Sequence, residues 1–85
     1  MAHILVVDDE PPILDIINKI LAASGYQVTL ARSGLEAQQL LNDHAFDLMI
    51  SDIVMKDIDG MQLLKHARTH HPDMGVVMLT GFGTI

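Results

Sequence analysis

The sequence predicts an α/β fold, a doubly wound parallel sheet, and three observations carry that expectation. Short apolar runs, HILVV at residues 3–7 and VVML at residues 76–79, are too uniformly hydrophobic for strands with one wet face. Segments of helical period separate the runs. Strand and helix alternate as βαβαβαβ, and apolar strands joined by helices make a parallel sheet covered on both faces, with right-handed crossovers.

His3 to Val7 is the first strand, rich in β-branched residues and followed by acids. Pro11 and Pro12 suit the first turn of a helix, where a missing N–H costs nothing. Ile13, Ile16, Ile17, Ile20 and Leu21 then recur at helical spacing, and Gly25 stands where a C-terminal cap belongs. Tyr26, Val28 and Leu30 alternate with Gln27 and Thr29, which marks a strand with one wet face at a sheet edge. Ser33 with Glu36 three residues on is a capping box, opening a helix through Ala37, Leu40 and Leu41. Phe46 to Ser51 is the third strand. Asp59 caps the next helix, with Met61, Leu63, Leu64 and Ala67 facing inward and Pro72 beyond its end. Val76 to Leu79 is a fourth, fully apolar strand. Met49, Met61 and Met78 read as core and Met55 as a loop residue.

Composition narrows the function classes. The 85 residues fit one domain, and 49% hydrophobic with 19% charged residues is a globular balance. A net charge of −6, eleven acids against five bases, argues against direct nucleic-acid binding. No apolar run approaches the roughly 20 residues that span a bilayer, and MAHILVV lacks the basic leader and cleavage site of a signal peptide. With no cysteine, disulfides and thiolate metal sites are excluded, and a cytoplasmic location away from membranes is expected.

The acids fall in a telling place. Ligands of open parallel sheets bind outside the carboxyl ends of the strands, near the point where strand order reverses. Asp8 and Asp9 end the first strand, Asp52 the third, and Thr80 the fourth. If strands one and three are neighbours, three carboxylates converge, a costly arrangement that a hard divalent cation such as Mg²⁺ relieves. Glu10 and Asp59 read instead as helix caps, and Asp57 as a loop residue. There is no GxGxxG or P-loop sequence and no Ser-His-Asp arrangement around Ser51. What remains is carboxylate chemistry with a metal, in which an aspartate is a nucleophile toward phosphorus.

VVDDE after the first strand, SDIVMKDIDG after the third and LTGFG after the fourth resemble the receiver domain of two-component response regulators, the flavodoxin/CheY-like fold. The likeness runs from Ile4 to Ile85. It implies a sheet of strand order 2-1-3-4 and a phosphoacceptor, not an enzyme. Asp52 would take a phosphoryl group from a sensor histidine kinase. Asp8 and Asp9 would hold Mg²⁺ with Asp52 and the backbone carbonyl of Val54, Asp9 directly and Asp8 through water. Thr80 would be the switch hydroxyl, with Gly81 leaving room for the phosphate. TGFGTI is most similar to receivers joined to transcription activators.

Two departures stand out. Lys56 follows Met55 where the family usually has proline. The family also continues through a fourth helix, a fifth strand carrying a phosphate-pairing lysine, and a fifth helix. Neither Lys19 nor Lys65 stands at that lysine's place. The resemblance thus implies a receiver at residues 1–85 truncated after its fourth strand, lacking the last strand and the last two helices, with impaired phosphorylation and its effector domain outside this chain. An uncovered fourth-strand edge and an Ile-rich first helix would favour a homo-oligomer. One alternative is an assembly or folding fragment whose acids are only inherited. Another is a haloacid-dehalogenase-like phosphohydrolase, suggested by DIDG at residues 57–60, although a loop separates that motif from its strand. His66 and His70 have the spacing of a helical metal pair, but solvent exposure and the helix C-terminus explain them better.

Overall fold

The computed structural model describes residues 2–79. Its elements are β1 (His3–Val7), α1 (Pro11–Ala23), β2 (Gln27–Ala31), α2 (Gly34–Asp43), β3 (Leu48–Asp52), α3 (Gly60–His70) and β4 (Gly75–Leu79). All strand pairs are parallel, in the expected order β2-β1-β3-β4. From β1 the chain steps one way to β2 and then turns back across β1 to β3 and β4. A single handedness for every crossover then puts α1 on one face and α2 with α3 on the other. The reversal falls between β1 and β3.

β1 shows why its run is wholly apolar. Its alternate residues feed two cores. Leu5 and Val7 join Ala37, Leu41, Met49, Leu63 and Ala67 under α2 and α3, while Ile4 and Val6 lie beneath Leu14 of α1. The sheet's central strand therefore has no face left for water.

The observed bounds differ slightly from those expected. β2 begins at Gln27 because the Tyr26 N–H is spent closing α1, donating to the Leu21 carbonyl at 3.2 Å. Gly25, with φ of +92°, makes that reversal in the left-handed region. β3 begins at Leu48, paired with Ile4, and extends to Asp52, paired with Leu79. Ahead of it the Asp47 carboxylate accepts the His3 N–H at 2.8 Å.

Two expectations about burial are corrected, for Met61 and for β4, while α1 turns apolar surface outward as expected. The stripe that seats α1 is Leu14, Ile17 and Leu21, whereas Ile13, Ile16 and Ile20 form a second stripe turned outward, Ile20 being 61% exposed. A helix on a sheet buries one stripe only, and this helix carries two. Met61 is 56% exposed rather than core, since the seated stripe of α3 is Gly60, Leu63 and Ala67 and position 61 lies about 100° around the helix from Gly60. β4 is not covered on both faces: its burial alternates, and Val77 is 43% exposed. Among the described residues it pairs only with β3.

Candidate metal and phosphoacceptor site

β1 and β3 are neighbours, so their carboxyl ends meet. One carboxylate oxygen each from Asp8, Asp9 and Asp52 lies within 4.8 Å of the others. The site sits at the strand-order reversal, where an open parallel sheet offers its crevice. Asp8 is buried at 7% exposure, while Asp9 and Asp52 are half-buried. Burial pushes the Asp8 carboxyl above its ordinary value of 3.8; the Glu10 N–H, donating to Asp8 Oδ1 at 2.9 Å, opposes that, and the charges of Asp52, Asp9 and Glu10 add to it. Glu10 occupies the N-cap position of α1, but its side chain makes no capping bond.

The donor set suits a hard cation. Oxygens around Mg²⁺, bound at roughly 2.0–2.1 Å, stand about 3–4 Å apart, and such a centre commonly uses one or two carboxylates with water completing it. Three clustered carboxylate oxygens fit that requirement.

Asp52 is carried at the end of a rigid post. Ser51 beside it is fully buried and its hydroxyl donates to the Asp52 carbonyl at 3.0 Å. Beyond it, residues 53–59 form the loop to α3. The Ile53 N–H donates to the Leu79 carbonyl at 2.9 Å and the Ile53 carbonyl accepts the Gly60 N–H at 2.6 Å. Val54 is exposed, its N–H 3.4 Å from Asp52 Oδ1, while Met55 turns into the core instead of lying free in the loop. Asp59 caps α3 as expected, accepting the Gln62 N–H at 2.9 Å. Thr80 and Gly81 lie outside the described residues.

Two features escaped the sequence reading. Asp57 is more than a loop residue: its oxygens accept the N–H groups of Gly34 at 3.1 Å and Leu35 at 2.9 Å. The Leu35 N–H above all, against a smaller effect of desolvation, holds its carboxyl below the ordinary 3.8. The acid's chain position, 22 residues from Leu35, hides this partnership. His66 is also not simply exposed. Its Nε2 is buried without a partner, its ring lies 4.5 Å from that of His70, and burial, then the charges of His70 and His71, lower its pKa from 6.5. The two histidines line a cleft of about 430 Å³ between α2 and α3, away from the three acids.

The comparisons with known proteins agree with this geometry. The response regulator receiver domain family matches residues 4–85. The chain is 43% identical over 84 residues to the transcriptional regulatory protein GlrR of Escherichia coli strain K12, covering 99% of this chain and 19% of that protein. It is 33% identical to the receiver protein CpdR of Brucella abortus strain 2308, covering all of this chain and 71% of CpdR. The chain thus spans about a fifth of the length of relatives such as GlrR. Among solved structures, the response regulator TrrA of Thermotoga maritima in complex with Mg²⁺-BeF superposes with a TM-score of 0.93 at 35% identity, over 98% of this chain and 72% of that one. A CheY-like receiver domain protein of Methanospirillum hungatei gives 0.94 at 34% identity, over 100% and 68%. Sheet order, the three clustered acids and a match along nearly the whole chain converge on one assignment: this chain belongs to the receiver domain family of response regulators.

Proposed function

We propose that residues 1–85 are a receiver unit of a two-component phosphorelay, in which Asp52 accepts a phosphoryl group from a sensor histidine kinase. The observation that carries this reading is the meeting of Asp8, Asp9 and Asp52 at the carboxyl ends of β1 and β3. A carboxylate oxygen of Asp52 attacks phosphorus, the bond from phosphorus to the donor's imidazole nitrogen breaks, and its electron pair stays on that nitrogen. Asp8, Asp9, Asp52 and the carbonyl of Val54 would hold Mg²⁺, which when bound supplies the positive charge that phosphoryl transfer requires. Half-burial of Asp52 leaves an approach for the donor, and the strand behind it fixes its position. Thr80 serves as the switch hydroxyl, a role that rests on the family likeness alone.

The effector lies outside this chain. GlrR carries the name of a transcriptional regulatory protein, which makes transcription the field proposed for it. Cytoplasmic residence belongs to the same reading; among the described residues no helix is long and apolar enough to cross a membrane. Self-association is proposed through the outward isoleucines of α1 and through β4, which among the described residues pairs only with β3. A monomer by light scattering would count against it.

The test is a Mg²⁺ titration followed by amide resonances, with Asp52→Asn as control, and then intact mass after acetyl phosphate. Saturable shifts near Asp8, Asp9 and Asp52 that weaken in the variant, with a phosphoryl adduct absent from it, are expected. No saturable binding would leave the chain an assembly fragment with inherited acids.

A further inference from the structure

The first four N–H groups of α2, those of Ser33, Gly34, Leu35 and Glu36, have no acceptor inside the helix. Glu36 donates to the Ser33 hydroxyl at 3.1 Å. Gly34 and Leu35 both donate to Asp57, one to each carboxylate oxygen. Glu36 reaches past the N-cap and accepts the Arg32 N–H at 2.6 Å. Half of the cap of α2 is therefore supplied by the loop that leaves Asp52.

Packing tightens the same junction. Gly34 is buried, and a Cβ there would lie 2.8 Å from Ile58 Cβ and 2.9 Å from the Ile58 carbonyl oxygen. Only a residue without a side chain lets the backbone of α2 come so near the loop. The loop is thus pinned at three places: Ile53 on β4 and α3, Met55 in the core, and Asp57 on α2. Val54 and Lys56, the residues between the pins, are exposed.

We infer that Asp57 is a positioning residue of the phosphoacceptor loop, holding residues 53–58 against the N-terminus of α2 so that occupancy of the acid site is transmitted to that helix. The inference rests on the proposed Mg²⁺ site and deepens it. Its physical basis is that the loop has one short span, Val54 to Lys56, between the site and the clamp. A shift of the Val54 carbonyl toward a cation must be absorbed there or passed to Asp57. The Leu35 and Gly34 N–H groups, donating to the carboxylate, favour its ionised form and hold its pKa below the ordinary 3.8.

The experiment compares the wild-type chain with Asp57→Ala and Asp57→Asn. Mg²⁺ affinity and the Gly34 and Leu35 amide resonances are followed in one titration, and urea unfolding serves as the control for folding. Asn keeps an oxygen acceptor but loses the charge; Ala loses both. The clamp predicts that Gly34 and Leu35 shift in the wild type with the same midpoint as Asp52 and cease to respond in Asp57→Ala. It also predicts an affinity order of wild type, then Asn, then Ala, the last weaker by about three- to tenfold. Equal affinities in Asn and Ala would reduce Asp57 to a distant charge and overturn the inference. So would wild-type Gly34 and Leu35 amides that ignore Mg²⁺ while Asp52 responds, a measurement that needs no variant to fold. Absence of any Mg²⁺ response in the wild type would instead refute the site itself.

Discussion

Gly60→Ala is the substitution the geometry judges most severely. Gly60 is the first residue of α3, buried, and its N–H closes the loop onto the Ile53 carbonyl. A Cβ there would overlap the Asp52 carbonyl oxygen and sit 2.6 Å from Ile53 Cα and 2.8 Å from Met78 Cε. The Met78 methyl can rotate away. The other two obstacles are backbone, part of the strand end that presents Asp52, and they move only if the strand or the helix moves. Overpacking costs about 1–3 kcal/mol, and rigid obstacles place this case at the upper end. A better helix former returns less than about 1 kcal/mol at a helix end, so a net loss of about 2–3 kcal/mol is expected. A chain of this size has roughly 4–13 kcal/mol in all.

Urea unfolding reads this directly. With a slope of about 1–2 kcal/mol per M, the midpoint should fall by roughly 1–3 M. Gly25→Ala is the calibrating partner, since no atom lies within 4 Å of its Cβ and only its φ of +92° opposes a side chain. That costs about 1 kcal/mol, without touching the acid site. The two should differ in Mg²⁺ binding as well: Gly60→Ala displaces Asp52 and loses affinity, whereas Gly25→Ala keeps it. A Gly60→Ala midpoint equal to that of Gly25→Ala, with affinity intact, would refute the reasoning.

Met49→Ala removes a fully buried side chain from the core under α2 and α3 and should cost about 2–5 kcal/mol by the same unfolding assay. Asp59→Ala deletes the acceptor for the Gln62 N–H and should cost about 1 kcal/mol, with α3 amides exchanging faster. His66 is neutral more persistently in the folded chain than in the unfolded one. Its contribution is therefore complete above 6.5 and is lost as pH falls from there toward its lowered folded value, because the unfolded chain binds the proton first. Urea midpoints measured between pH 7.5 and 5.5 should decline less steeply in His66→Gln than in the wild type, and parallel declines would disprove this.

The legible parts of this chain are those whose cause is local or periodic. The alternation of apolar runs with helix-period segments announces the parallel sheet, and caps such as Ser33 and Asp59 read correctly because each acceptor serves an N–H three residues on. The convergence of Asp8, Asp9 and Asp52 is legible too, since strand ends are where acids have no structural reason to gather. Burial on α1 is not legible in the same way. Ile13, Ile16 and Ile20 are as hydrophobic as the stripe that seats the helix, and only the position of the sheet decides which one turns inward. Met55 and Asp57 lie in the loop as expected, but what they do there is hidden for a different reason: the partners that define them are far away in sequence, on α2 and in the core beneath it.

The same distinction explains how the site is built. A strand end can hold a carboxylate rigidly, and β1 and β3 do so with cores on both faces. In the proposed receiver role it cannot also supply a ligand that adjusts to a cation and a phosphoryl group, because strand backbone is locked by its ladder on either side. That adjustable part has to come from a loop, and a loop left free would spend much of its time away from the acids. Residues 53–59 resolve the conflict by being fixed at Ile53, Met55, Asp57 and Asp59 while Val54 and Lys56 stay exposed between the fixed points. Lys56 stands where a proline would stiffen the loop through its own ring. The stiffness is provided instead by the carboxylate one residue later, which binds the loop to a helix and so makes the helix a party to whatever happens at Asp52.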